Sequence, residues 1–507
     1  MGVEIKLDAG VEPDIDVAIV GAGISGIGMA AHMQKICPDR SYAILERRES
    51  IGGTWDLFRY PGVRSDSDMH TLGFVFEPWR HEKAIADGPS ILEYLNRIAD
   101  ERHIRPHIRF GTKVVSADWD SASARWLLVT EDGGGRRHAS TARFLYLGSG
   151  YYDYDTPFEA DLPGRDDFKG TLVHPQFWPE DLDYAGKRVV VIGSGATAVT
   201  IVPSMAKDAA HVTMLQRTPT WYASRPARDA FANWLRKWLP DRIAYAVTRF
   251  KNVRLQNFFY KRARSQPEKV KAFLTQKLKE MLGDKYDAKA FTPPYNPWEQ
   301  RLCLVPDADL FEAIKADKAS VVTDRIERID ATGIQLASGQ HLDADVIVTA
   351  TGLKLAVAGK IALSMDGVPI DLSDHYYYKG VMFSNLPNLA AVFGYLNASW
   401  TLRADINADY VCRLLNRMKD TGRDVATPVL PDESKLVFDD VFDFSSGYLM
   451  RGKHLQPKSA TDLRWRLNQD YVRDRAFMKT DPVDDGILTL SQAEPAVAGL
   501  HVREAAE

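Results

Sequence analysis

Twice in this chain a short apolar run enters a glycine turn and leaves it as a helix. The first is Asp16-Val-Ala-Ile-Val20 into Gly21-Ala-Gly23-Ile-Ser25-Gly26; the second is Val189–Ile192 into Gly193-Ser194-Gly195-Ala196-Thr197-Ala198, with Val199 continuing the helix. A buried strand, a side-chain-free turn and a helix N-terminus make a cradle for a dinucleotide pyrophosphate. Gly21 permits the tight turn, Gly23 admits the pyrophosphate, and Gly26 lets helix lie on strand. Ala198 stands where many second turns carry a third glycine, and it is still small. The strand after each helix separates the two sites. The first helix, Ile27–Cys37, stops before Pro38, and the strand Tyr42–Leu45 ends in Glu46, a carboxylate placed to accept from ribose hydroxyls. The second fold's strand, Val212–Gln216, ends in Arg217 with Thr218 beside it. A guanidinium there clamps a 2′-phosphate, which favours NADP over NAD. An acid in one fold and a cation in the other fit FAD plus NADPH.

The 507 residues allow two or more full cores. The expected class is α/β: two Rossmann-like dinucleotide-binding domains with an inserted helical subdomain. The first part of the FAD domain is expected over residues 1–152, the NADP domain over 153–340, and the second part of the FAD domain over 341–507. Residues 1–14 and the last few are expected to be frayed. A net charge of −4 argues against nucleic acid as a partner. Three scattered cysteines, Cys37, Cys303 and Cys412, are too few for a disulfide framework or a zinc site. No CxxC pair occurs, so a disulfide reductase is excluded in practice. Neither a secretory signal nor a bilayer-spanning run is read, and the expectation is a cytoplasmic protein.

Several stretches between the turns carry their own signals. Gly52-Gly53-Thr54-Trp55 and Tyr60–Asp66 read as an irregular loop walling the first site. Residues 110–150 read as β-rich, with a hairpin at Gly133–Gly135 and a strand from Phe144 returning to the first fold. Asp345–Thr351 reads as a buried strand ending at Gly352, and residues near 405–418 as an amphipathic helix. The insert, about 228–290, differs in composition. Residues 236–264 hold nine Lys or Arg against one acid, Asp241, with Trp234, Trp238, Phe250, Phe258 and Phe259 interleaved at roughly helical spacing. The ordinary expectation is a helical subdomain whose aromatics face the core. The minority expectation is weak peripheral contact with an anionic membrane.

Ahead of the second turn stands Phe168-x-Gly170-x-x-x-His174-x-x-x-Trp178-Pro179. With Gly52-Gly53-x-Trp55 through Asp66, this segment resembles the fingerprint of the type I Baeyer–Villiger monooxygenases. The wording of YNPWEQRLCLVP and GYLNASWTL is similar to their ethionamide-activating branch. The resemblance covers nearly the whole chain. It implies that NADPH reduces FAD, that O2 forms a C4a-peroxyflavin, and that a ketone becomes an ester or lactone, with sulfides or thioamides as further substrates. It matches Arg301 to the catalytic arginine and Asp66 to the acid that orients it. It adds Thr54, Trp55, Asp56, Leu57, Arg64, Ser65, Asp66 and Val114 to the cofactor contacts. His174 is read as a hinge between domains rather than an acid–base catalyst. Gln300 departs from the pattern, since many family members carry lysine before the arginine; NADPH selectivity then leans on Arg217 and Thr218. Two rival readings remain: a sulfur- or nitrogen-oxidising flavin monooxygenase without ketone activity, and an uncoupled NADPH oxidase or flavin-based sensor.

Overall fold

Strand β1, Ile15–Val20, is apolar and almost wholly buried, as a central parallel strand must be. In the computed structural model, which describes residues 14–493, it feeds helix α1, Ile24–Ile36, and the chain returns as β2, Tyr42–Leu45. Val17 lies opposite Tyr42 in a parallel pairing. The fraying expected before residue 14 and at the extreme C-terminus lies outside the described residues. Asp14 itself is tied down, since its carboxylate accepts from the Thr141 backbone N–H at 2.7 Å. Strand β3, Ile108–Arg109, extends the sheet beyond β2. Three longer strands, β4 Lys113–Asp120, β5 Arg125–Glu131 and β6 Arg137–Leu147, form an antiparallel meander. Its β5–β6 turn is the expected one at Gly133–Gly135, and β6 lies parallel to β1, with Phe144 opposite Val17.

The chain then leaves this sheet and builds another. Strands β7 Thr171–Val173 and β8 Arg188–Ile192, helix α2 Ala196–Met205, and strands β9 His211–Gln216, β10 Ala319–Thr323 and β11 Val346–Thr349 form an all-parallel sheet ordered β10-β9-β8-β11-β7. After Gly352 the chain returns to the first sheet. Ala362–Met365 pairs with β4 and Leu389–Ala391 with β6, bringing that sheet to eleven strands. The two Rossmann-like folds of the sequence reading are therefore present, the second threaded into the first.

Between β9 and β10 lies the helical insert, dominated by α3, Asp241–Ser265, and α4, Pro267–Leu282. Here the structure corrects the ordinary expectation. The inner face of α3 buries Tyr245, Thr248, Arg249 and Asn252, whereas Trp234, Trp238, Phe250, Phe258 and Phe259 are all exposed. The cause is a buried ion cluster. The Arg249 guanidinium donates to the carbonyls of His70 (3.0 Å) and Gly73 (2.6 Å) and pairs with Asp405 at 3.2 Å. Asp405 also meets His32 of α1 at 3.2 Å. Asp405 belongs to helix α5, Trp400–Asp420, which is buried on most of its surface and bonded to α1 through Asn416 Nδ2 and the Ile36 carbonyl at 2.8 Å. A buried arginine is too costly to leave unpaired, so this cluster dictates which face of α3 turns inward.

Arg249→Ala leaves Asp405 buried without its guanidinium partner. We expect about 3–5 kcal/mol of lost stability, read as a lowered urea midpoint. An unchanged midpoint contradicts the anchoring role.

Candidate active site

The first glycine turn and the first turns of α1 and α2 open on one cavity. Gly21, Gly23 and Ser25 line it from the first fold, and Ala196, Thr197 and Thr200 from the second. Neither helix N-cap, Gly23 or Gly195, has a capping side chain, so first-turn N–H groups of α1 and α2 are left for an anion. Gly26 is set back from the cavity, where a Cβ would lie 1.9 Å from the Gly21 carbonyl oxygen. That contact is the helix-on-strand packing expected of it.

Glu46 lines the cavity, almost wholly buried. One carboxylate oxygen accepts from the Ala22 N–H at 2.6 Å and the other from the Arg48 N–H at 2.9 Å. The residue expected to meet a ribose thus also braces the glycine turn, with lone pairs remaining. Burial pushes its carboxyl above the ordinary range, and the two backbone donors oppose that shift. The Gly52–Gly53 loop hangs on the same turn, since Gly52 N–H donates to the Ala22 carbonyl at 3.1 Å. Thr54–Leu57 forms one helical turn rather than irregular chain. Thr54 and Trp55 face the cavity, as does Val114 from β4. Asp56 and Leu57 do not line it. Asp56 is instead held by Arg48 and Arg59, each at 2.7 Å, which fixes the loop from behind.

At the far wall Arg301 Nη2 lies 3.2 Å from Asp66 Oδ2, and both side chains face the cavity. The two residues come from different sheets' loops. Asp66 follows Ser65, whose N–H donates to the Ala86 carbonyl at 2.9 Å. Arg301 precedes the strand Cys303–Pro306, which pairs in parallel with Tyr222–Arg225. Trp298, at a positive φ of 68°, packs edge-on against Tyr260 and stiffens the approach. Asp66 holds the Arg301 guanidinium well above its ordinary pKa, against desolvation. Arg64 and Ser65 also line the cavity, but Arg64 is paired with Asp309.

A tyrosine cluster around this pair went unread in the sequence. Tyr151 and Tyr152 touch hydroxyl to hydroxyl at 2.5 Å, and Tyr151 stacks on Trp400 with centroids 5.0 Å apart. Trp400 Nε1 donates to Ser25 Oγ at 2.8 Å, linking α5 to the first turn. Burial raises the hydroxyls of Tyr151, Tyr152 and Tyr448 above their usual pKa, so all three stay protonated beside Arg301 at neutral pH. The Tyr-Tyr doublet after Gly150 was a visible signal; Tyr448 had none.

The remaining candidates sit away from the cavity wall. Gly193, Ser194 and Gly195 form the second turn, where Ser194 Oγ donates to the Thr218 carbonyl at 3.1 Å. Ala198 and Val199 are buried in α2. Arg217 is exposed at the end of β9, with no carboxylate partner among the described residues. In the fingerprint, Phe168 packs on the outer core of the second sheet and Trp178 on its other side. A Cβ on Gly170 would meet the Asp345 carbonyl oxygen at 2.4 Å, so the segment hugs the edge of that sheet. Pro179 is exposed. His174 Nδ1 accepts from the Gln176 N–H at 3.1 Å, and burial lowers its pKa against the opposing effect of the Phe158 backbone. It does not line the cavity.

Two uncapped helix N-termini on one cavity, with an acid beside one, are the arrangement of a two-dinucleotide oxidoreductase. Residues 18–282 match the family described as pyridine nucleotide-disulphide oxidoreductase. Among curated relatives, the chain is 50% identical over 490 residues to the FAD-containing monooxygenase EthA of Mycobacterium tuberculosis, covering 96% of this chain and 99% of the relative. It is 49% identical over 479 residues to the probable FAD-binding monooxygenase AlmA of Acinetobacter baylyi, covering 94% and 96%. The fold is shared with an oxidised steroid monooxygenase bound to NADP (TM-score 0.75, 22% identity, 94% and 99% covered) and with cyclohexanone monooxygenase bound to epsilon-caprolactone (TM-score 0.75, 21% identity, 94% and 99% covered). The chain belongs to the FAD-containing monooxygenases. The first turn, Glu46 and the Thr54–Trp55 wall fit that flavin, because they leave free donors for a pyrophosphate and free acceptors for a ribose.

Glu46→Ala removes both the brace and the acceptors. We expect FAD retention after dialysis to fall by about ten- to a hundredfold, the equivalent of one charge-assisted hydrogen bond. Wild-type retention contradicts the assignment.

Proposed function

We propose that this enzyme couples NADPH and O2 to the oxygenation of a ketone, giving an ester or lactone, with sulfides and thioamides as further substrates. The balance is ketone + O2 + NADPH + H⁺ giving ester + NADP⁺ + H2O. The observation that carries the reading is Arg301 beside Asp66, facing the cavity on which the N-termini of α1 and α2 open. Bound FAD supplies the acceptor for the hydride and the activation of oxygen. The chain supplies the rest. Insertion of oxygen next to a carbonyl builds negative charge on the carbonyl oxygen, which a preorganised cation in a water-poor site stabilises far better than solvent does. Arg301 keeps its charge at any working pH, whereas a lysine in such surroundings would lose its proton readily. Asp66 fixes the direction of that charge, and the protonated Tyr151, Tyr152 and Tyr448 present neutral donors around it.

On this reading residues 153–340 form the NADPH-binding unit, Arg217 with Thr218 takes the 2′-phosphate, and the Phe168–Pro179 segment couples the two folds. The absence of His174 from the cavity wall supports a hinge over a catalytic base.

Two measurements test this. With NADPH and O2, a methyl ketone should give ester in step with NADPH consumed, alongside sulfoxide from a methyl aryl sulfide. Sulfoxide without ester moves the enzyme to heteroatom oxidation, and peroxide alone makes it an oxidase. In Arg217→Ala, kcat/KM for NADPH relative to NADH should fall by about ten- to a hundredfold. An unchanged ratio removes Arg217 from the site.

A further inference from the structure

Helix α3 carries its polarity the wrong way round for a helix packed on a soluble core. Its inner face holds Thr248, Arg249 and Asn252, all buried, and Ile243, Val247, Phe250 and Phe258 share the opposite, exposed face. Those positions recur at steps of four, three and eight, which is one stripe of an α-helix. Phe250 is 62% exposed and Phe258 56%, and the short helix just before α3 adds Trp234 at 55% and the adjoining turn Trp238 at 74%. A contiguous aromatic stripe of this kind marks a surface that is covered in some state of the protein.

The charge around that stripe identifies the cover. Of the nine basic residues in 236–264, five serve the protein itself. Arg236 donates to the Arg80 carbonyl, Arg249 pairs with Asp405, Lys251 with Asp229, Lys261 with Asp470, and Arg264 with Asp443. The other four, Lys237, Arg242, Arg254 and Arg262, have no carboxylate partner among the described residues. Arg254 lies over the Phe250 ring, 5.2 Å from its centroid, so aromatic and cation form one surface. A second copy of this face would oppose cations to cations. An anionic lipid surface accepts both components: aromatic side chains sink to headgroup level while Lys and Arg meet the phosphates.

We propose that α3 and the Trp234–Trp238 segment before it dock in the plane of an anionic lipid surface. No helix among the described residues is long and apolar enough to cross a membrane, so the contact is peripheral. The flank of α3 nearer the cavity supplies Val253, Gln256 and Tyr260 to a narrow cleft opposite Asn397 and Ala398, and Ala398 also lines the dinucleotide cavity. That cleft lies on the flank of α3 turned away from the aromatic stripe, so docking leaves it uncovered. The docking proposal does not rest on the oxygenation reading.

The test is co-sedimentation of the FAD-loaded enzyme at low salt. Vesicles of phosphatidylglycerol and phosphatidylcholine should bind it at least tenfold more tightly than phosphatidylcholine alone. Trp238→Ser with Phe250→Ser should lower that partition by about tenfold or more, and Arg242→Gln with Arg254→Gln by about fivefold per cation. NADPH oxidation in solution should be unchanged, since none of these residues touches the cavity; if the double serine variant does not fold, Trp238→Ser alone serves. A wild-type enzyme that stays in the supernatant overturns the proposal, as does a serine variant that binds vesicles equally. A serine variant that changes oligomeric state while the wild type ignores vesicles also overturns it, and assigns the face to self-association. Absence of ester from a ketone leaves vesicle binding untouched, so the two readings fail separately.

Discussion

Everything in this molecule answers to one requirement, that two helix N-termini from two separate parallel sheets open on the same cavity. Each must bring its unpaired N–H groups and its dipole to the cavity, and neither can do so from within the other's sheet. The chain meets the requirement by interruption. It leaves the first sheet after Leu147, builds the second, and returns at Ala362–Met365 and Leu389–Ala391. Long-range pairing of this kind costs loop-closure entropy, offset here by strands buried on both faces and by α5 lying along α1.

The Arg301–Asp66 pair is the chemical counterpart of that topology. Asp66 belongs to the loop beneath the first glycine turn, and Arg301 to the segment that leaves the insert. Neither fold alone holds both. The ion pair that faces the cavity is thus assembled from distant parts of the chain, and the tyrosines around it arrive from two further places.

What could be read from the sequence was local. Strand, turn, helix and the residue ending the next strand lie within a few dozen positions, so Glu46 and Arg217 stood out without any structure. Gly26 and Gly170 earned their place through contacts a side chain would break, a signal glycine carries by itself. Arg301 with Asp66 was legible only through resemblance, because no periodicity links residues so far apart. Tyr448 was not legible, since a lone tyrosine near the C-terminus has no pattern. The orientation of α3 was misread for a definite reason. Helical patterning assumes that aromatics seek the interior, and a single buried arginine bound to Asp405 and three carbonyls outweighs that tendency.

On the proposed reading, Arg301 serves oxygenation and not flavin reduction. Arg301→Ala should therefore be followed in two halves: bleaching of the bound flavin by NADPH without oxygen, then product and peroxide formed when oxygen and ketone are supplied. Bleaching should proceed at the wild-type rate, ester should fall by about a hundred- to a thousandfold, and NADPH should be diverted into peroxide. Ester formed at the wild-type yield, or bleaching lost in the same proportion as ester, would contradict that reading.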